Sequence, residues 1–247
     1  MQKLSLVIPA YNEESCVKNT VKAFHAKLLE EKIPHEILVI NDGSRDKTED
    51  VLKTLGGEVP ELRYLNNQSS HGFGLAVRLG LDNFEGDCVA IVMADLSDSP
   101  QDLVLYYRKM QEGYDCVFGS RFIKGGETKD YPKFKYSLNR LTNTIIKFVF
   151  NIKYNDTTNA FKLYKKETIQ GLRPLLSHHF NLTVELPLKA IIRGYSYAII
   201  PIHWKNRKEG ESKLKIKEMG SRYFFIIIYC LMEKWLSRGD YRKTRIS

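Results

Sequence analysis

The feature that most narrows the possible folds is a regular alternation through the first half of the chain. Short β-rich runs, "KLSLVIPA" (3–10), "HEILVIN" (35–41), "LRYLN" (62–66), "DCVAIVMA" (87–94) and "DCVFGSR" (115–121), are separated by stretches whose apolar residues recur near helical spacing. Strand–helix–strand repetition implies right-handed crossovers, hence a mainly parallel sheet covered by helices on both faces. Pro100 suits the first turn of its helix, and Asp46 is placed to cap the helix after the second run. Such sheets bind ligands at the carboxyl ends of their strands. Asp42, Asp95 and Arg121 fall just past strand ends and are therefore expected to converge on one crevice.

After residue 122 the alternation lapses. "FIKGGETKDYPK" is polar and Gly-rich and reads as a mobile loop, while "YSLNRLTNTIIKFVF" predicts an amphipathic helix with Leu138, Leu141, Ile145, Phe148 and Val149 toward one side. A strand near 159–164, a helix around 181–193 and a strand near 196–203 follow. A chain of 247 residues accommodates one large α/β domain with a C-terminal extension. Charge is unevenly spread: residues 1–130 carry 15 Lys and Arg against 21 Asp and Glu, whereas residues 131–247 carry 23 against 8. A basic excess confined to one half points to an anionic partner. The four cysteines, Cys16, Cys88, Cys116 and Cys230, form no CxxC pair, which argues against a zinc or disulfide framework and for a reducing compartment. The N-terminus has only a five-residue apolar stretch, too short for a signal peptide, so a cytoplasmic location is expected. No G-x-x-x-x-G-K-[ST] occurs, and no G-x-G-x-x-G follows the first strand, which excludes a P-loop NTPase and a dinucleotide-type Rossmann enzyme. The basic residues are not interleaved with a recognised nucleic-acid module.

Within that frame, "IVMADLSD" (91–98) ends an apolar strand in Asp95, Ser97 and Asp98. These are hard oxygen donors of the type that suits Mg²⁺ or Mn²⁺ bridging phosphates. Asp95, at the strand terminus, reads as a metal ligand, with Ser97 as its companion; Asp98-Ser99-Pro100 reads as the cap of the next helix. "INDGSRDKT" places Asp42 in an Asx-type turn where it can accept from a base edge or a ribose, or serve only as a turn. "NRKEGESKL" (206–214) sets Arg207, Ser212 and Lys213 around Gly210, a flexible cationic segment able to close over phosphates. In the tail, Tyr223 to Met232 are ten apolar residues, half of a membrane span, flanked by Lys213, Lys215, Lys217 and Arg222 and by Lys234 and Arg238. That pattern predicts an interfacial helix drawn to anionic lipid, against the alternative of a helix packed on the core or on a partner subunit.

Taken together, "LVIPAYNEE", "VINDGSRDKT", "VMADLSDSP", "GSRF" and "RKEGESKL" resemble, in order, the motifs of the family 2 glycosyltransferases of the GT-A fold, especially the dolichyl/polyprenyl-phosphate mannose synthase type. The resemblance implies a catalytic domain over residues 1–212 and a basic amphipathic helix and tail over 213–247. It implies that Pro9, Tyr11, Glu13 and Asp42 hold the nucleotide, that Asp95 with Ser97 holds Mg²⁺ or Mn²⁺ on the diphosphate, and that Arg207, Ser212 and Lys213 cover the donor phosphates. Arg121, Lys135, Asn139 and Arg140 would face an acceptor phosphate, with Lys135 and Asn139 standing where the subfamily has Arg and Ser.

The implied reaction is inverting transfer from a GDP- or UDP-sugar to a polyprenyl or dolichyl phosphate. The implied place is the cytoplasmic membrane face, where the protein would sit peripherally, alone, as a homo-oligomer or with a membrane-protein partner. One departure is clear. The family's first acid is Met93 here, which leaves Asp95 as the motif's sole carboxylate, so metal affinity without nucleotide should be poor. Met93 would instead pack beneath the sugar or ribose. Two rivals remain: a transferase acting on a sugar hydroxyl, which would need a base such as Asp156 or Glu185 aimed at the crevice, and a non-catalytic sugar-nucleotide or lipid-binding homologue.

Overall fold

The computed structural model describes residues 2–206 and 216–243. Along the chain lie β1 (Leu4–Ala10), α1 (Val17–Glu30), β2 (His35–Asn41), α2 (Thr48–Glu58), β3 (Leu62–Asn66), α3 (Phe73–Asn83), β4 (Cys88–Ile91), α4 (Pro100–Gln111) and β5 (Cys116–Ser120). Beyond them come β6 (Glu127–Lys129), α5 (Lys133–Phe150), β7 (Lys162–Lys165), α6 (Lys166–Gly171), α7 (Leu182–Ile192), β8 (Tyr197–Pro201), β9 (His203–Lys205) and α8 (Ile216–Leu236). Seven strands form one sheet in the order β3-β2-β1-β4-β7-β5-β8. The pairs among β1 to β4 and between β5 and β8 are parallel, as the alternation requires; β7 lies antiparallel between β4 and β5.

Both faces of the sheet are covered, and side-chain alternation sorts the core into two layers. On one face Leu6, Ile8, Ile37 and Val39 pack with Val21 and Phe24 of α1 and Leu103 of α4. On the other, Val7, Leu38 and Ile40 meet Ala76 and Val77 of α3 and Leu182 and Leu186 of α7. The α3 helix approaches closely because two of its residues lack a side chain. A Cβ on Gly80 would lie 2.3 Å from Val7, and one on Gly74 would lie 2.6 Å from the His178 backbone. The glycines of "GFGLAVRLG" therefore serve packing.

Two sequence expectations are corrected here. The stretch 122–133 contains β6, which pairs in parallel with β9, and the strand expected near 196–203 is divided into β8 and β9. The polar loop is thus tied down by main-chain hydrogen bonds.

The α8 helix lies beside α5 and α7, and Ile226 and Cys230 are fully buried against Ile146, Phe150, Val184 and Leu188. A buried Arg193–Glu233 pair, with both guanidinium–carboxylate bonds at 2.6 and 2.8 Å, fixes its last turns. The packed-helix alternative is therefore right for one face of α8. Its opposite face is apolar and open, with Phe224 and Trp235 each 65% exposed. The α5 helix adds Phe134 at 73% and Phe148 at 86%. Among the described residues no helix is long and apolar enough to cross a membrane. All four cysteines are free.

Candidate active site

The carboxyl ends of β2, β1 and β4 lie side by side in the sheet, and the loops after β1 and β2 bind one another. Asn12 takes the left-handed conformation (φ 52), which Asn tolerates. Its N–H donates to Ser44 Oγ at 3.0 Å, and its Oδ1 accepts from the Arg45 N–H at 2.8 Å. Glu13 N–H donates to Thr48 Oγ1 (2.9 Å), Glu14 N–H donates to Asp46, and Glu14 in turn accepts from the Lys47 N–H. Asp46 also accepts the Thr48 N–H at 3.0 Å, but the residue at the N-cap of α2 is Lys47, one position later than expected. "YNEE" and "DGSRDKT" are thus two halves of one wall. Pro9 is partly buried on β1, Glu13 is half-buried and Tyr11 is exposed.

Asp42 is buried beneath this wall. Its carboxylate accepts from Asn67 Nδ2 (2.6 Å) and from the Gly72 N–H (2.8 Å), and lies 3.3 Å from His71 Nδ1. It organises residues 67–72 within the crevice. Gly43, at φ +73, permits the turn; a Cβ there would lie 2.4 Å from His71.

Asp95 sits half-exposed past the end of β4, and its Oδ1 accepts the Ser97 N–H at 3.1 Å, an Asx turn that aims the carboxylate. Thr20 of α1 donates to the Ala94 carbonyl (2.7 Å), anchoring the turn from below. Ser97 is buried, and its carbonyl accepts the Lys205 N–H at 3.3 Å. Asp98 departs from expectation. Ser99 is the residue that caps α4, accepting the Asp102 N–H, whereas Asp98 turns inward and accepts the Met93 N–H at 3.0 Å. Burial, and then the neighbouring Asp95 charge, push the Asp98 carboxyl up to about 7, against the Met93 N–H, which draws it down. Where the first acid of the motif is replaced by Met93, that residue's amide holds a second carboxylate close by. A cavity of about 460 Å³ opens behind the turn, lined in part by Ser97, Trp204 and Lys205; neither Asp42 nor Asp95 lines it.

The expected acceptor residues divide into two groups. Arg121 is buried and engaged by Asp156, which is itself fully buried. Arg121 Nε and Nη2 donate to its two oxygens at 2.8 and 2.7 Å, and the Arg121 N–H adds a third bond at 3.0 Å. Burial opposes the Arg121 charge, yet Asp156 holds the guanidinium above its usual range. The rings of Phe122, Tyr131 and Trp204 surround it at 5.1–5.7 Å. Asn139 Nδ2 donates to Thr158 Oγ1 at 2.8 Å and joins Asn143 in locking α5 to residues 157–158. These two residues build the wall from within. Arg140 stacks at 4.3 Å on Phe122, and its buried Nη1 has no hydrogen-bond partner among the described residues. Lys135 lies half-buried in the first turn of α5, a turn without acids. Arg207, Ser212 and Lys213 lie outside the described residues. The chain enters that stretch from beside the Asp95 turn, where Lys205 bonds Ser97 and Asn206 bonds Lys129.

Sequence reasoning missed Lys162, a buried lysine under the site. Its Nζ donates to the carbonyls of Thr157 (3.0 Å), Thr183 (3.2 Å) and Asn159. Burial draws its ammonium down to about 7, with Asp156 opposing. Glu185, like Asp156, is fully buried and paired, with Lys189 Nζ at 2.6 Å and the Leu176 and Ser177 N–H groups on its oxygens.

Sheet order and the crevice at the strand ends are those of the GT-A fold. The same fold is found in glucosyl-3-phosphoglycerate synthase from Mycobacterium tuberculosis, solved with Mn²⁺, uridine diphosphate and glucosyl-3-phosphoglycerate, at a TM-score of 0.70 and 16% identity over 94% of this chain and 80% of that one. The family model for glycosyl transferase family 2 matches residues 5–173, and the chain belongs to that family of glycosyltransferases. The polyprenol monophosphomannose synthase of Mycolicibacterium smegmatis is 28% identical over 99% of this chain and 91% of its own length. The dolichol-phosphate mannosyltransferase of Pyrococcus furiosus is 27% identical over 96% of this chain, which spans 66% of that relative.

Proposed function

We propose that the chain transfers a sugar from a GDP- or UDP-sugar to a polyprenyl phosphate at an anionic membrane surface, using Mg²⁺ or Mn²⁺. The donor set fits a hard cation: a half-exposed Asp95 carboxylate held in an Asx turn at the end of β4. Asp95 and Ser97 would hold the ion, which when bound supplies Lewis-acid stabilisation of charge on the leaving diphosphate. The wall formed by residues 11–14 and 42–48 receives the nucleoside, with Pro9, Tyr11, Glu13 and Asp42 in that role. Arg207, Ser212 and Lys213 cover the donor phosphates.

The observation that carries the choice of acceptor is the burial of two candidate bases, Asp156 and Glu185. Asp156 and Glu185 are each fully buried and ion-paired, so neither is offered to a sugar hydroxyl. A phosphate acceptor needs no base, because its second pKa of about 6 leaves it ionised at neutral pH. Arg140, with an unpartnered guanidinium nitrogen among the described residues, and Lys135 at the amino end of α5 supply the cationic cradle. Arg121 and Asn139 support that cradle from behind. The open apolar faces of α5 and α8 rest on the lipid surface that carries the acceptor.

The test is mass spectrometry of products formed from a panel of GDP- and UDP-sugars with a short polyprenyl phosphate. A glycosyl phosphoprenol from one donor supports the reading. Turnover only with sugar-hydroxyl acceptors overturns it.

A further inference from the structure

The amino ends of the parallel strands, at the opposite edge of the sheet from the transferase crevice, carry a separate cluster. His25 projects from α1, His35 opens β2, and Glu61 directly precedes β3. His25 Nδ1 lies 3.0 Å from His35 Nε2 and 3.5 Å from Glu61 Oε2, and one ligand atom from each residue falls within 4.8 Å of the others. Two ligands at about 2.0–2.1 Å on a tetrahedral zinc are about 3.3–3.4 Å apart, so the His25–His35 and His25–Glu61 spacings match after shifts of a few tenths of an ångström.

The surroundings favour the ligating forms. His35 Nδ1 lies 2.8 Å from the Ile33 carbonyl, to which it can only donate. Its Nε2 lone pair is thereby turned into the cluster, the arrangement found behind metal-bound histidines. Glu61 Oε2 is a buried carboxylate oxygen without a hydrogen-bond partner among the described residues. Such an atom is costly unless something cationic or donating meets it. His25 keeps its side chain 16% exposed, which leaves a path for an ion.

We propose that His25, His35 and Glu61 form a zinc-type divalent metal site, with water completing the coordination. Two imidazoles and one carboxylate suit zinc and its transition-metal neighbours, whereas Mg²⁺ prefers an all-oxygen shell. The site is therefore chemically distinct from the Asp95 turn. Its ion would clip α1 to the starts of β2 and of β3, the edge strand of the sheet.

The test uses chelator-treated full-length protein titrated with Zn²⁺ alone against a chromogenic competitor, with Co²⁺ as a spectroscopic substitute. The expected result is one ion bound with Kd of about 1 μM or tighter. A Tm that rises with Zn²⁺ concentration and an intense tetrahedral Co²⁺ spectrum should accompany it. His35 is buried, so the variants are His25→Gln and Glu61→Gln, checked for folding by circular dichroism. Each should weaken Zn²⁺ by at least about tenfold, while Asp95→Asn should leave this binding intact. No binding below about 100 μM, a Co²⁺ spectrum of octahedral type, binding unchanged in the two folded variants, or binding lost with Asp95→Asn would each overturn the proposal.

Discussion

Replacing Asp156 by Asn separates the two roles open to that residue. Its carboxylate is fully buried and accepts three bonds from Arg121, at 2.7, 2.8 and 3.0 Å, while Arg121 itself is 7% exposed. The substitution leaves a buried guanidinium without its counter-charge, and Lys162 close by loses the same compensation. Breaking a buried pair from one side costs about 3–5 kcal/mol. Asn keeps one acceptor oxygen, which places the expected loss near the lower end, about 3 kcal/mol. Against a typical total of about 5–15 kcal/mol this is a large fraction. With a urea m-value of about 3 kcal/mol/M, the midpoint should fall by about 1 M. The assay is equilibrium urea unfolding followed by circular dichroism and by tryptophan fluorescence. The double variant Arg121→Met with Asp156→Leu, which removes both charges, should lose clearly less than the two single changes added together. If Asp156→Asn unfolds at the wild-type midpoint yet abolishes transfer, the residue is a base and the reasoning about the acceptor is wrong.

Other consequences can be checked in parallel. Gly74→Ala drives a Cβ to within 2.6–2.7 Å of the backbone of residues 177–179, so melting should show a loss of about 1–3 kcal/mol. Lys162 has a folded pKa of about 7 against about 10.4 unfolded, so between those values the unfolded chain holds one proton more and stability rises with pH. The slope approaches about 1.4 kcal/mol per pH unit above pH 7 and should vanish in Lys162→Met, as read by urea midpoints across pH 7–9. Phe148→Ser combined with Trp235→Ser removes two side chains from the open face, and co-sedimentation with anionic vesicles should weaken by at least about tenfold while the melting temperature holds.

Much of the fold was written locally. The limits of β2 and β3 follow from apolar runs bounded by polar turns, and Ser99 before Pro100 marks the start of α4 by cap chemistry alone. Strand direction is not a local property, so the antiparallel insertion of β7 left no mark in the sequence, and the three polar residues of β6 carry no strand pattern. At the site, the acidic turn and its neighbours could be placed because each lies at a strand end. What Arg121 and Asp156 do could not, because their pairing spans 35 residues and is made by the antiparallel return that brings residues 156–160 to the crevice. Asp98 misled for a similar reason: its spacing fits a helix cap, and only the folded turn gives it the Met93 N–H. The Glu185–Lys189 spacing of four suggests an exposed helical pair, yet both side chains are fully buried. The three members of the His25, His35 and Glu61 cluster share no ligand spacing and meet only through parallel strand register.

The central claim is that the Asp95 carboxylate serves sugar transfer through a divalent ion. The most direct measurement is the rate of glycosyl phosphoprenol formation by wild type and Asp95→Ala, each with Mn²⁺ and with chelator. The account predicts that Asp95→Ala melts like wild type but loses about 10²–10³-fold in rate, as removal of a key electrostatic stabiliser does, and that chelation lowers wild type comparably. Equal rates for the two proteins, or a wild-type rate indifferent to chelation, would contradict it.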